Sequence, residues 1–128
     1  MWPGDAIAPW VAQVLGALVF GIHSVTFLVP ARARAQLPYA RALSDATLRF
    51  IGVVEVAGAI GLILPGLTGI AAWLTPAAGV GLAVVMVLGI VFHIARREWP
   101  NVVLNFALGL IAAFVAYGRF ALDPFAGR

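Results

Sequence analysis

The chain has 128 residues, 63% of them hydrophobic and only 10% charged, with a mean hydropathy of +1.05. So little polar surface excludes a soluble globule of this size and predicts an integral membrane protein, with one membrane domain over residues 1–128. The net charge of +3 comes from eight arginines and no lysine, and cysteine is absent, which excludes disulfides, thiolate metal sites and dithiol redox chemistry within the chain.

In a soluble protein this basic balance would point to nucleic acid; here the arginines mark cytoplasmic loops, and no nucleic-acid partner is expected. The start, Met1 to Asp5, lacks the basic region of a signal peptide, and the apolar run that follows is predicted to span the bilayer uncleaved. Pro9 suits a first helical turn and Trp2 and Trp10 suit an interfacial belt, which places the first span at about residues 9–29. Gln13, His23, Ser24 and Thr26 interrupt it.

The segment from Pro30 to Asp45 carries Arg32, Arg34 and Arg41 and is predicted to be a basic loop with room for a short interfacial helix. Ser44 or Asp45 is placed to cap a second span over about residues 46–64, ended by Pro65 and Gly66. Pro65 to Gly69 then forms a tight connection. A third span follows over about 70–94, with Pro76 in its first turns, and ends at Arg96-Arg97-Glu98. Trp99 and Pro100 precede a fourth span over about 101–117.

Six arginines, from Arg32 to Arg49 together with Arg96 and Arg97, fall on the side holding the first and third loops, whereas Arg119 and Arg128 fall opposite. The positive-inside bias puts loops one and three in the cytoplasm and both termini outside. Small residues recur at four-residue spacing in every span: Ala12/Gly16, Ala17/Gly21, Ala57/Gly61, Ala77/Gly81 and Gly109/Ala113. Such pairs let helix backbones approach closely in lipid, and the fold class predicted is all-α, a transmembrane antiparallel four-helix bundle.

The chemistry gathers at one depth. Glu55 is the only acid in its span and is expensive to keep in hydrocarbon, so it needs a partner or a polar cavity. Counting from the charged ends, Glu55, His23 and Asn105 each lie roughly 10 Å in from the cytoplasmic boundary, with His93 shallower. Glu55 shares a helix face with Gly52, Gly58 and Ala59; Asn101, Asn105 and Gly109 form one stripe on the fourth span, with Glu98 just above it. The candidate catalytic residues are Glu55, His23 and His93, and the candidate ligand-binding residues are Asn105, Asn101, Glu98 and Gly52.

Arg49 lies six residues from Glu55 and off its face, and Arg96 and Arg97 read as contacts for lipid headgroups. Two histidines with Glu55 and Glu98 offer ligands for iron or zinc, but neither an H-x-x-x-H nor an E-x-x-H pattern is present, and no metal site is assigned.

Taken in order, Gly52 to Pro65, Leu67 to Leu82, Met86 to His93, Arg97-Glu98 and Asn105 resemble the DoxX-like family of small four-span bacterial membrane proteins. The distinguishing set is the Glu in the second span, His-x-x-x-x-Glu after the third and Asn in the fourth. The resemblance implies a four-helix bundle in the bacterial cytoplasmic membrane, in a family named after a subunit associated with quinone-linked sulfur oxidation in archaea.

Three functions follow as expectations. The first is an accessory subunit of a redox system that binds a quinone or similar isoprenoid lipid around Glu55, takes its electrons from a membrane partner and exchanges protons through Glu55 and a histidine. The second is a cofactor-independent isomerase or hydrolase acting on a lipid or isoprenoid by acid and base chemistry. The third is a scaffold or assembly factor whose small-residue faces bind other subunits or a second copy.

Overall fold

The computed structural model describes residues 7–122 together with 124 and 125, apart from the side chain of Ala31. Trp2, Asp5 and Arg128 lie outside the described residues. Four long helices dominate: α1 (Ile7–Leu28), α3 (Asp45–Thr68), α4 (Leu74–Ala95) and α5 (Trp99–Tyr117). A short α2 (Ala31–Arg34) and a 3-10 turn (Pro38–Arg41) occupy the first connection. Each long helix is apolar and long enough to cross a membrane, since 19 to 24 residues at ~1.5 Å apiece match a hydrocarbon core of about 30 Å. The described residues contain no strand, and the architecture is the all-α four-helix bundle expected.

Consecutive long helices pack side by side, and α5 returns against α1 to close a four-sided bundle. The pairing is antiparallel: Gln13, near the start of α1, reaches Leu62 near the end of α3, whereas Phe27 lies beside Gly52. The α1–α3 connection and the α4–α5 turn therefore share one end of the bundle, called the loop end below.

Burial is inverted relative to a soluble protein. The buried set includes Gln13, Arg34, Glu55, His93, Asn105 and Arg119, while Ile22, Phe50, Val103 and many other large apolar side chains point outward. Buried positions in α1 recur every three or four residues (Gln13, Gly16, Phe20, Ser24, Phe27), so each helix gives the interior one narrow stripe and offers the rest to acyl chains.

Helix ends follow local chemistry. Ser44 caps α3, its hydroxyl accepting the Thr47 N–H at 3.1 Å. Arg34 is buried and donates to the carbonyls of Phe27 and Val29 at 2.6 and 2.9 Å, satisfying acceptors that the end of α1 leaves open. It also pairs with Asp45 at the start of α3, which Arg49 approaches from the next turn at 3.1 Å. One arginine thus ties two helix ends together.

The second span does not end at Pro65. The proline sits inside the last turns of α3, where its missing N–H removes one hydrogen bond close to the end, and the helix stops at Gly69, in the left-handed region at φ 72°. The connection is consequently 69–73, and α4 starts at Leu74 instead of residue 70. At the other boundary α5 starts at Trp99, with Pro100 in its first turn, and continues as a π-helical turn over Gly118–Leu122.

The small residues do not all act as the four-residue spacing predicts. Gly16 and Gly61 sit against neighbouring helices, but a methyl group at Gly21 or Gly81 would meet nothing within 4 Å. The closest backbone approach is at Gly79, where a methyl would fall 2.8 Å from the Ala112 carbonyl oxygen and 3.0 Å from the Ala116 nitrogen.

Candidate functional site

Glu55 of α3 faces inward and is fully buried. His23 of α1 meets it, with Nδ1 lying 3.0 and 2.9 Å from the two carboxyl oxygens, so a single ring nitrogen addresses both. The common depth expected for His23 and Glu55 thereby becomes a contact. Arg49 takes no part, because it turns back to Asp45 four residues earlier.

A second pair sits at the loop end. His93 Nδ1 lies 2.6 Å from Glu98 Oε2, and Arg96 Nε donates to the other carboxyl oxygen at 2.8 Å. Arg96 also reaches the Pro38 carbonyl at 3.3 Å and stands over the Phe92 ring, so it fastens the first connection to the end of α4. Partial burial raises the Glu98 carboxyl, but the hydrogen bonds from His93 and Arg96 and their charges outweigh it and hold the group below its ordinary range.

Tyr39 joins the two pairs. Its ring is edge-on to His93 at 5.4 Å and tilted against Phe27 at 6.2 Å, and Phe27 is in turn edge-on to His23 at 5.2 Å. Burial, reinforced by the nearby Glu55 and Glu98 carboxyls, raises the Tyr39 hydroxyl and keeps it a neutral donor. Tyr39 was not anticipated from the sequence. The only signal there is a Pro-Tyr step inside a basic loop, and nothing local says that the loop folds back over the bundle.

These groups line a cavity of about 340 Å³ between the four long helices at the loop end. His23 and Phe27 contribute from α1, Glu55 from α3, Gly89 and His93 from α4, and Asn101 and Asn105 from α5, with Tyr39 closing the top. Most of the wall is apolar, from residues such as Ile51, Val54, Val85 and Met86. Phe50 and Leu88 also line it yet are exposed on the outside of the bundle, so the cavity reaches toward the acyl chains between α3 and α4.

The expected ligand residues divide. Asn105 and Asn101 face the cavity, and Asn105 is nearly fully buried. Glu98 stands behind His93 and does not form part of the wall. Gly52 does not reach the cavity; it packs on Phe27 and Leu28, where a methyl would fall 2.8 Å from Leu28. Its smallness serves the α1–α3 contact. Gly89, which nothing in the sequence marks out, is bare because the Asn105 amide occupies the space beside it. Among the described residues no three His, Cys, Asp or Glu side chains gather to hold a metal ion.

The far end carries a separate polar cluster. Gln13 donates to the Leu62 carbonyl at 2.6 Å and accepts from Arg119 Nε at 2.6 Å, while the guanidinium lies over Phe125 and Trp10 at 4.1 and 5.1 Å. Arg119 is therefore buried within the helix ends instead of flanking the span at the surface.

Fold and site together define a small multi-pass membrane bundle built around an internal carboxyl–imidazole pair beside an apolar cavity. The family model for the DoxX-like family matches residues 11–115, and the chain belongs to that family. Comparison with curated proteins and with solved structures gave no match.

Proposed function

We propose that the protein binds a quinone or similar isoprenoid lipid in the cavity beside Glu55 and serves a redox system of the bacterial cytoplasmic membrane as an accessory subunit. The observation that carries this is the coincidence, in one apolar cavity open toward the acyl chains, of a fully buried carboxyl group and its histidine partner. An apolar ring and tail gain from the wall, and reduction of a quinone to a quinol takes up two protons, which a carboxyl–imidazole pair is suited to exchange. The electrons come from a membrane partner. Membership of the DoxX-like family supports a redox association by analogy.

The test is saturable binding of a menaquinone by the purified full chain in lipid nanodiscs. Val54 is half-buried and forms part of the cavity wall, so Val54→Trp should fill the space from the α3 side and weaken binding at least about tenfold with helicity retained. Equal binding by wild type and variant would place the lipid elsewhere.

A second reading is favoured by the His23–Glu55 geometry itself. A carboxyl that holds one ring nitrogen fixes the orientation of the imidazole and leaves the other nitrogen for acid or base chemistry on a bound lipid. Turnover of an isoprenoid by the isolated protein without an electron donor, abolished in Glu55→Gln, would favour that reading over the redox role.

A further inference from the structure

The charged groups around the cavity are already committed to one another. Both oxygens of Glu55 face His23 Nδ1, and the two oxygens of Glu98 are taken by His93 and Arg96. Arg34 is held by carbonyls and Asp45, and Arg49 by Asp45. Among the described residues no arginine lines the cavity. The His23–Glu55 pair carries a net charge of zero or minus one, and Glu98 is already matched by Arg96, so with neutral imidazoles the wall has no spare cation for an anion, and a buried unpaired phosphate or carboxylate is costly.

The polar capacity left over is uncharged. Asn105 is 4% exposed, faces the cavity and has no hydrogen-bond partner among the described residues. A buried carboxamide in that state has donors and an acceptor to give. Its position is built: the amide nitrogen lies so close to Gly89 that any Cβ there would collide with it. Asn101, one turn earlier, and Tyr39 add further neutral groups to the same wall.

We infer that the cavity selects an isoprenoid lipid whose head is an uncharged carbonyl or hydroxyl group, and that Asn105, given its room by Gly89, is the residue that binds this head. The inference rests on the cavity being a lipid site, and it adds the head chemistry and the group that recognises it. The same charges disfavour phosphorylated isoprenoids and free fatty acids as occupants.

Three probes with tails of equal length separate the possibilities: a menaquinone with four isoprene units, geranylgeraniol and geranylgeranyl phosphate, each titrated against the full chain in nanodiscs of zwitterionic lipid. The menaquinone and the alcohol should bind at least about tenfold tighter than the phosphate. Asn105→Leu should weaken the neutral ligands by about tenfold, the loss of one buried hydrogen bond, without improving the phosphate. Gly89→Ala, which keeps the amide but displaces it, should weaken them severalfold.

Phosphate binding as tight as the neutral probes overturns the selection, and menaquinone binding unchanged in both variants overturns the role of Asn105. If Asn105→Leu loses its helicity, Gly89→Ala and the order of the three probes decide. Failure of every probe to saturate wild type removes the lipid site and this inference with it, whereas tight binding of the phosphate alone leaves the lipid site standing and sinks only the head selection.

Discussion

Glu55 and His23 are worth most to the protein as a pair. Removing one partner strands the other's polar atoms in a largely apolar interior, so Glu55→Ala should destabilise the bundle by about 3–5 kcal/mol, whereas Glu55→Gln, which keeps shape and hydrogen bonding, should cost only ~1–2 kcal/mol. Thermal or denaturant unfolding in detergent checks the difference, and equal losses would show that Glu55 is a spacer. Glu98 titrates in the opposite setting, at the rim. Its folded-state pKa is lowered below the ordinary 4.5, so the stability it adds is fully present above that value and is lost as pH falls through the lowered one. The melting-temperature gap between wild type and Glu98→Gln should therefore be constant at neutral pH and close in acid below about pH 4.5. A gap that widened in acid would contradict the clasp formed by His93, Arg96 and Glu98.

Between helices, the decisive positions are those where backbone meets backbone. Gly79→Ala should cost ~1–3 kcal/mol, because a methyl there meets the Ala112 and Ala116 main chain, which cannot move aside as a side chain can. Gly81→Ala, on the same helix with open space around it, should stay within ~1 kcal/mol of wild type. Unfolding of both variants settles the contrast, and the reverse order would mean that α4 and α5 are packed on a different face. The four-residue spacing in the sequence pointed to Ala77 and Gly81 and passed over Gly79, since a chain so rich in Ala and Gly offers many equally spaced pairs and spacing alone cannot tell which face is used. Pro65 misled for a related reason. Proline disfavours a helix interior, but one missing hydrogen bond close to the end is tolerable when Gly69 supplies the actual stop. Glu55 with His23 was legible because depth in a membrane helix follows from counting residues, and two polar side chains at equal depth on antiparallel neighbours, both turned inward, come within reach of each other. Tyr39 and Arg34 were not, because the path of a loop back over a bundle leaves no periodic trace.

On the scale of the whole molecule, the bundle keeps its polar side chains inside and divides them between two ends. At the far end Gln13, Arg119 and the Leu62 carbonyl form a network that bridges helices around the ring, packed under Trp10 and Phe125. At the loop end His23, Glu55, His93, Tyr39 and two asparagines surround open space in place of filling it, with Glu98 behind His93. Grooves of about 420–510 Å³ elsewhere on the bundle, some of them toward the far end, have no charged side chain among the described residues of their walls, whereas the cavity of about 340 Å³ holds a buried acid and its histidine, and that lining separates a site from a packing gap. The architecture and the family were readable from four apolar runs and a few polar positions; the cavity was not, because a void depends on which side chains are absent from a shared space, as at Gly89. The central claim is that a quinone-type lipid occupies that space. A menaquinone analogue carrying a photoreactive diazirine on its ring, irradiated with the protein in nanodiscs and mapped by peptide mass spectrometry, tests it directly. Labelling should fall on the cavity wall, at Val54, Val85 or Gly89, and be displaced by unlabelled menaquinone. Undisplaced labelling confined to outward-facing residues such as Ile22 and Val103 would contradict it.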